Sequence, residues 1–401
     1  MTLRIGRTLP PAAAPIPLSN VLRALPQCFR HDGDVSRFEG EIIQEFRQRY
    51  CVLVSSGKAA LVLILKALQN LYPERDEVVV SAFTCFSVPA AIKKAGLKIK
   101  LCDTGAGSLD PDKKQLREII ESDKKDNKIL CVLVTHLFGC PADYSGIKQI
   151  VGTQIPLVED AAQAMGQDID GKRLGTLGDV GFFSLGRGKA LSTIEGGAIL
   201  TGREDIGNEL IRLSSNIESF TVFDKIKFGV KSICTTLFQQ PFIFWLPKSL
   251  PFLKLGETLY EEDFSICKMS SLQMRLARNW RERLQRHQDF RRKNIRFWQE
   301  TIPQKFSLVC PRTKEIAMIR FPLMAPSKKE RDMICLKSEE NGCGVMPTYP
   351  STINEIPQLA SEIVGQHYPN AKKLADCLFT LPAHEYVRES DRLKILNLLN
   401  S

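Results

Sequence analysis

The stretch Val180–Leu200, VGFFSLGRGKALSTIEGGAIL, decides how this 401-residue chain is read. Its ends, VGFFSL and GGAIL with the following threonine, have the length and the aromatic or β-branched content of buried strands. The turn between them contains Gly186, Gly188 and a lone lysine, Lys189, with Ser184 five positions before it. A single lysine is usually a solvated surface charge. A lysine set between two buried strands is a candidate nucleophile, and its neighbours must decide between these readings.

Working outward, apolar runs alternate with helical patterns from Tyr50 to Thr201. YCVLVSS, EVVVSAF, KIKLCD, KILCVLVTHLFG and IPLVEDA read as strands. KAALVLILKALQNL and VPAAIKKAG read as helices, with another over 143–150; Leu61, Ile64, Leu65 and Leu68 share one face of the first. Continuous apolar strands alternating with helices predict an α/β fold, a mostly parallel central sheet with helices on both faces. Ligands of such sheets sit at the carboxyl ends of the strands. Ser55-Ser56-Gly57, Thr84-Cys85, His136, Glu159-Asp160 and Ser184 fall at those ends.

Beyond residue 220 the pattern changes. Residues 221–262 form an apolar insert, uncharged between Lys231 and Lys248, too short for a spanning helix and interrupted by Pro241. From Phe264, SSLQMRLARNWRERLQRHQDFRRKNIRFWQE predicts one long charged helix with Leu272, Leu276, Trp280 and Leu284 as its apolar stripe. A strand (AMIRFPLMA), a helix ending at Gly342, a helix, the strand-like LFTLP and a last helix follow. The predicted division is residues 1–220 as a large α/β domain, 221–262 as the insert and 263–401 as a smaller α+β domain.

The net charge of +10 comes from scattered lysines and arginines, with no nucleic-acid recognition motif beside them. It reads as a solvated basic surface, or one that attracts anionic substrates or lipids. The twelve cysteines sit mostly singly in apolar segments without metal-ligand spacing, so no metal site is expected and the thiols read as reduced, buried and cytoplasmic. The N-terminus has no signal-peptide core before its prolines.

Four features then combine. SSGKAA, at a strand end before a helix, makes an anion cradle from the backbone around Gly57, Lys58 and Ala59. VEDAAQAMG places Asp160 and Gln163 at another strand end, and Ser184 and Lys189 complete the set. Pyridoxal 5'-phosphate requires this chemistry: an amine for its aldehyde, an acid for its ring nitrogen, and hydroxyls and a helix N-terminus for its phosphate.

The motifs SSGKAAL, SAFTCFSVPAAIKKAG, THLFGCPADYSGI, VEDAAQAMGQDIDGKRLGTLGDVGFFSLGRGKALSTIEGGAILT, MSSLQMRLA and TLPAH, in this order, resemble the DegT/StrS-type sugar-nucleotide aminotransferases. These are fold-type I pyridoxal-phosphate enzymes. The resemblance implies that Lys189 holds the cofactor and moves the substrate proton. It implies that Asp160 meets the pyridine nitrogen, that Gln163 lies beside the ring's phenolic oxygen, and that Ser184 binds the phosphate. It implies a homodimer that transfers an amino group, with glutamate as the expected donor, to a keto group of a nucleotide-activated sugar, for polysaccharide or secondary-metabolite synthesis. Members that carry histidine in place of this lysine dehydrate instead.

The chain departs from the family pattern at four places. Lys58 replaces a threonine. Cys85 occupies the place of the stacking aromatic, leaving Phe86 as the candidate platform. Ile266 in ICKMS replaces an asparagine that reaches the partner subunit's phosphate. SLGRGK replaces a histidine-containing turn. The insert has two readings, a membrane-surface element over 221–255 or a segment that packs on a partner subunit or roofs the active site.

Overall fold

Residues 5–29, 35–250, 258–310, 316–363 and 366–400 are described by a computed structural model. The elements of the first half, in chain order, are α1 (Leu18–Ala24), α2 (Val35–Phe46), β1 (Tyr50–Val54), α3 (Gly57–Leu71), β2 (Glu77–Ser81), α4 (Ser87–Lys94), β3 (Lys98–Cys102), α5 (Lys113–Asp123), β4 (Ile129–Thr135), α6 (Tyr144–Val151) and β5 (Leu157–Asp160). A short hairpin of β6 (Asp168–Ile169) and β7 (Lys172–Arg173) precedes β8 (Val180–Ser184), β9 (Gly197–Thr201) and α7 (Glu204–Ser215).

Seven strands form one sheet in the order β1-β9-β8-β5-β4-β2-β3. β9 runs antiparallel to both neighbours, and the other pairings are parallel. Both faces are covered because successive side chains point to opposite sides. Val52 and Val54, with Val78 and Val80, pack against α3, α4 and α7. Leu53 packs with Phe38, Ile42 and Phe46 of α2, and Val79 with residues of α5 and α6. Helix α3 is buried over Ala59–Leu65 on all sides, which explains why its sequence is apolar beyond a single stripe.

The insert folds as α8 (Val222–Phe238) and α9 (Trp245–Lys248). Residues 251–257 lie outside the described part of the chain. Next come α10 (Ser271–Leu276), α11 (Trp280–Thr301), β10 (Ser307–Leu308), β11 (Arg320–Met324), α12 (Lys328–Asn341), β12 (Met346–Pro347), α13 (Pro369–Cys377), β13 (Leu378–Pro382) and α14 (Glu389–Asn400). The four strands form an antiparallel sheet, β10-β11-β13-β12. Its Phe321, Leu323, Phe379 and Leu381 belong to the same apolar core as α3.

Two expectations need correction. The predicted long helix is two helices, broken where Asn279 adopts left-handed backbone at φ 54°. The four stripe residues are all buried, but in two places. Leu272 and Leu276 pack with Val21 and Phe228, whereas Trp280 and Leu284 pack with Phe38 and Leu53. A straight helix cannot aim one stripe at both. The buried Arg283 donates to the Leu276 carbonyl at 2.5 Å and the Ser192 carbonyl at 2.8 Å, satisfying an oxygen at the break.

The cysteines are also not uniformly reduced and buried. Cys140 and Cys310 form a disulfide across 170 residues, and Cys234 is exposed. Spacing could not reveal the pair, because the loop after β4 meets the segment before β11 only in the folded chain.

Candidate active site

A cavity of about 540 Å³ opens beside Lys189. Its walls come from the N-terminal segment Pro10–Ala12, from Cys85, Phe138 and Gln163 of the large sheet's loops, from Arg320 of β11 and from Tyr349 just past β12. Lys231, Cys234, Thr235 and Phe238 of α8, with Phe244 and Pro247, also line it. The insert therefore roofs the cavity, one of its two expected roles.

Lys189 lies on the turn between β8 and β9. Its preceding residue must be small: Gly188 has φ +72°, and a Cβ there would stand 3.0 Å from the Ala12 side chain. The buried Arg291 fixes the turn from behind, donating to the carbonyls of Lys189 at 2.8 Å and Ala190 at 3.0 Å. The Lys189 amine is shifted below its ordinary pKa, chiefly by burial and further by Arg320, while Cys85 and Asp160 oppose the shift. This is the electrostatics of a nucleophilic amine rather than a solvated charge.

Asp160 ends β5 and is buried. Burial raises its pKa, opposed by the Ala162 N–H, which donates to Oδ1 at 3.1 Å, and by the charge of Lys189. Gln163 is held at both ends of its amide. Its Oε1 accepts from the Phe138 N–H at 2.9 Å, and its Nε2 donates to the Tyr349 hydroxyl at 3.3 Å.

Ser184 and the start of α3 come together because β1 and β8 both flank β9. Ser56 caps α3, accepting from the Ala59 N–H at 3.1 Å. Gly57 approaches so closely that a Cβ would stand 2.8 Å from the Ser184 Cβ and 3.0 Å from its Oγ. A helix N-terminus and a hydroxyl thus share one small space, as an anion cradle requires. Gly186 connects cradle and lysine: its N–H donates to the Ser184 Oγ at 3.3 Å, and a Cβ on it would meet the Lys189 Cγ at 3.7 Å. These residues fit pyridoxal phosphate in amine, acid and phosphate cradle alike.

Other sequence-derived residues are placed differently. Phe86 is buried in the main core and does not line the cavity; Cys85 does. The aromatic wall is instead Phe138, which stacks on Tyr349 at 6.3 Å between ring centres. The Lys58 ammonium sits 4.3 Å over the Phe264 ring, which draws its side chain to that ring. Ile266 packs on the core, and Lys268 donates to the Ser215 carbonyl at 3.2 Å.

His136 and Glu159, also at strand ends, are structural. His136 Nδ1 accepts from the Ala142 N–H at 3.0 Å, so Nε2 donates to Glu159 at 2.7 Å. Glu159 also accepts from the N–H groups of Leu177 at 2.7 Å and Gly178 at 3.1 Å. Among the described residues, no three acidic, histidine or cysteine side chains cluster as a metal site.

Sequence reasoning missed Arg320, Tyr349, Phe138 and the Pro10–Ala12 segment. Arg320 carried the signal that singled out Lys189, a lone cation in an apolar strand, AMIRFPLMA.

Residues 19–231 match the model of the DegT/DnrJ/EryC1/StrS aminotransferase family. The chain is 31% identical over 219 residues to the GDP-4-keto-6-deoxy-D-mannose 3-dehydratase of Escherichia coli O55:H7, covering 53% of this chain and 55% of that protein. It is 32% identical over 168 residues to the GDP-perosamine synthase of Escherichia coli O157:H7, covering 42% and 44%. The chain thus spans about half the length of the curated relatives it matches. A solved structure of the E. coli GDP-4-keto-6-deoxy-D-mannose-3-dehydratase with bound hydrated PLP superposes with a TM-score of 0.76 over 99% of this chain and 100% of that one, at 19% identity. That likeness establishes a common fold.

Proposed function

This chain belongs to the DegT/DnrJ/EryC1/StrS aminotransferase family, and from that premise we propose that it is a pyridoxal-phosphate-dependent aminotransferase acting on a keto group of a nucleotide-activated sugar. The observation that carries this reading is the Lys189 amine, depressed by burial, beside Asp160 and one short turn from the Ser184–Gly57 cradle. When bound, pyridoxal phosphate supplies an electron sink that stabilises negative charge on the substrate carbon.

The chain's own residues do the rest. The α3 N-terminus and the Ser184 hydroxyl bind the phosphate. Asp160 holds a proton at the ring nitrogen, and Gln163, fixed by Phe138 and Tyr349, orients the ring. Lys189, released as a free amine, carries the proton between carbons within the cavity. The insert excludes water from above.

In this reading residues 1–220 hold the cofactor, 221–262 roof it and 263–401 supply the opposite wall. Glutamate is the amino donor and the molecule is a homodimer. The exposed face of α8, with Val222, Phe223, Ile226, Val230 and Leu237, is then the surface left for a partner subunit. Peripheral membrane contact through 221–255 is the second use of that face, favoured by the exposed Lys227 beside Phe223. Among the described residues no helix is long and apolar enough to cross a membrane. Co-sedimentation with anionic liposomes, alongside a solution mass, separates the two; protein that never pellets ends the membrane reading.

The main test adds L-glutamate to the purified, cofactor-loaded protein and follows its absorbance. Conversion to the pyridoxamine form is expected, and its absence refutes transamination. Dehydration is the alternative raised by the dehydratase relatives; Lys189, where the family's dehydrating members carry histidine, favours transamination. Borohydride fixes the cofactor to the wild type. Equal fixation in Lys189→Ala removes Lys189 from its role.

A further inference from the structure

Phe138 has a backbone that bulky side chains rarely adopt, with φ 60° and ψ 3°. Such a conformation persists where surrounding contacts over-determine it. The Phe138 N–H donates to the Gln163 Oε1 at 2.9 Å, and its ring stacks on Tyr349 in the cavity wall. On one side of it, the His136 N–H donates to the Asp160 carbonyl at 3.0 Å. On the other, Cys140 is bonded to Cys310. The turn 137–139 therefore connects the disulfide to Asp160 and Gln163, the two side chains assigned to the cofactor ring.

The same turn is clamped to the segment that leads into β11. The Ile319 N–H donates to the Phe138 carbonyl at 2.9 Å, which holds the residue before Arg320. Gln167 adds a second tie: its Nε2 donates to the Gly139 carbonyl at 2.7 Å, and its Oε1 accepts from the Ala317 N–H at 2.8 Å. The disulfide is the third tie, and thiol chemistry can undo it. The two hydrogen-bonded ties keep the segments adjacent when the sulfurs part, so the thiols stay within reach and the bridge can re-form. Cys310 follows β10, a two-residue strand at the edge of its sheet. Short edge segments open locally at low cost, which gives a reductant access to the buried sulfurs.

We propose that Cys140–Cys310 is a reversible thiol–disulfide site that sets how tightly the cavity holds its cofactor, resting on the pyridoxal-phosphate reading above. A dithiol reductant, small or protein-borne, supplies two electrons and two protons. One of its thiolates attacks a bridge sulfur to give a mixed disulfide, and its second thiol displaces that bond. Cys140 and Cys310 are left as thiols and the reductant as a disulfide. Glutathione disulfide reverses the change, re-forming the bridge and leaving two glutathione thiols. With the bridge open, Phe138 is free to leave its left-handed backbone. Its N–H then moves off the Gln163 Oε1, and the amide that orients the ring loses one of its two holds. The bridged form is the tight-binding form.

The test equilibrates the full chain with dithiothreitol or with glutathione disulfide, removes the reagent, and scores the bridge by alkylation and mass spectrometry. Two measurements follow: amide hydrogen exchange over 138–140 in cofactor-free protein, and the dissociation constant of pyridoxal phosphate by equilibrium dialysis. In the reduced form, exchange at these amides is expected to be roughly tenfold faster. Pyridoxal phosphate should bind about 3- to 10-fold more weakly, the contribution of one hydrogen bond, and reoxidation should restore both values. Cys140→Ser combined with Cys310→Ser should behave as the reduced form and ignore the redox buffer. Equal affinity in the two wild-type forms overturns the proposal, as does a bridge that no reductant opens in the folded protein. A redox response that survives in the double variant also overturns it, since another thiol, such as Cys85 or Cys234 in the cavity wall, then carries the effect. Should the double variant fail to fold, the wild-type comparison decides alone. Protein that shows the exchange difference but takes up no pyridoxal phosphate in either form supports the switch and refutes the cofactor reading alone.

Discussion

Lys189 can attack an aldehyde only as a neutral amine. Burial moves its pKa below the solvated value of 10.5, and the neighbouring Asp160 holds it up. The sign follows: the neutral fraction rises with pH through a midpoint below that of a free lysine. The rate of pyridoxal-phosphate uptake by cofactor-free protein should therefore rise with pH about that lowered midpoint. Asp160→Asn removes the charge that favours the ammonium, so the midpoint should move lower still, a shift visible in stopped-flow uptake traces across pH. The same variant should lose about 10²–10⁴-fold in turnover if protonation of the ring is its task. Asp160 was legible in the sequence because it closes an apolar strand, and Lys189 because it is the lone lysine in the turn between two apolar strands; both signals are local and need no knowledge of distant packing. Arg320 was not, because its approach to Lys189 depends on contacts between segments more than a hundred residues apart.

At the scale of elements, the cradle depends on how closely α3 begins beside β8. Gly57→Ala places a methyl 2.8 Å from the Ser184 Cβ, so the helix start must move. The expected result is a loss of stability of about 1–3 kcal/mol, despite alanine's better helix propensity, and at least tenfold weaker cofactor binding. Denaturant titration and equilibrium dialysis measure the two effects. The break between α10 and α11 makes a second prediction. Asn279 tolerates its left-handed backbone, whereas a β-branched residue does not. Asn279→Val should cost about 1–2 kcal/mol and Asn279→Gly little, read from paired thermal or urea unfolding curves. Periodicity predicted the helix but not its break. The stripe continues in phase through Leu276 and Trp280, and only the presence of two separate cores requires the bend.

For the whole molecule, the alternating pattern from Tyr50 to Thr201 was sufficient to predict the seven-stranded sheet's parallel character. It did not show that β9 would run backwards between β1 and β8. That reversal places Ser56 and Ser184 on adjacent loops. The disulfide was equally invisible, since twelve cysteines permit many pairings. Denatured, unreduced protein should titrate ten thiols rather than twelve. Replacing Cys140 and Cys310 together by serine should lower stability by up to about 5 kcal/mol, the chain-entropy value for a loop of this size. Twelve titratable thiols would remove the bridge from the description.

The clamp that holds Arg320 also affects traffic. Phe138 and Ile319 share a backbone hydrogen bond, Gln167 ties both segments, and Cys140 is bonded to Cys310. Walls joined in three ways resist parting like a hinge. The roof is attached more lightly at its lysine side, where Lys231 of α8 pairs with Glu195 on a partly exposed surface. On the aminotransferase reading, the side that yields to an entering substrate is expected to be this roof, so the apolar insert would bear on the tempo of exchange as well as on the dryness of the chamber.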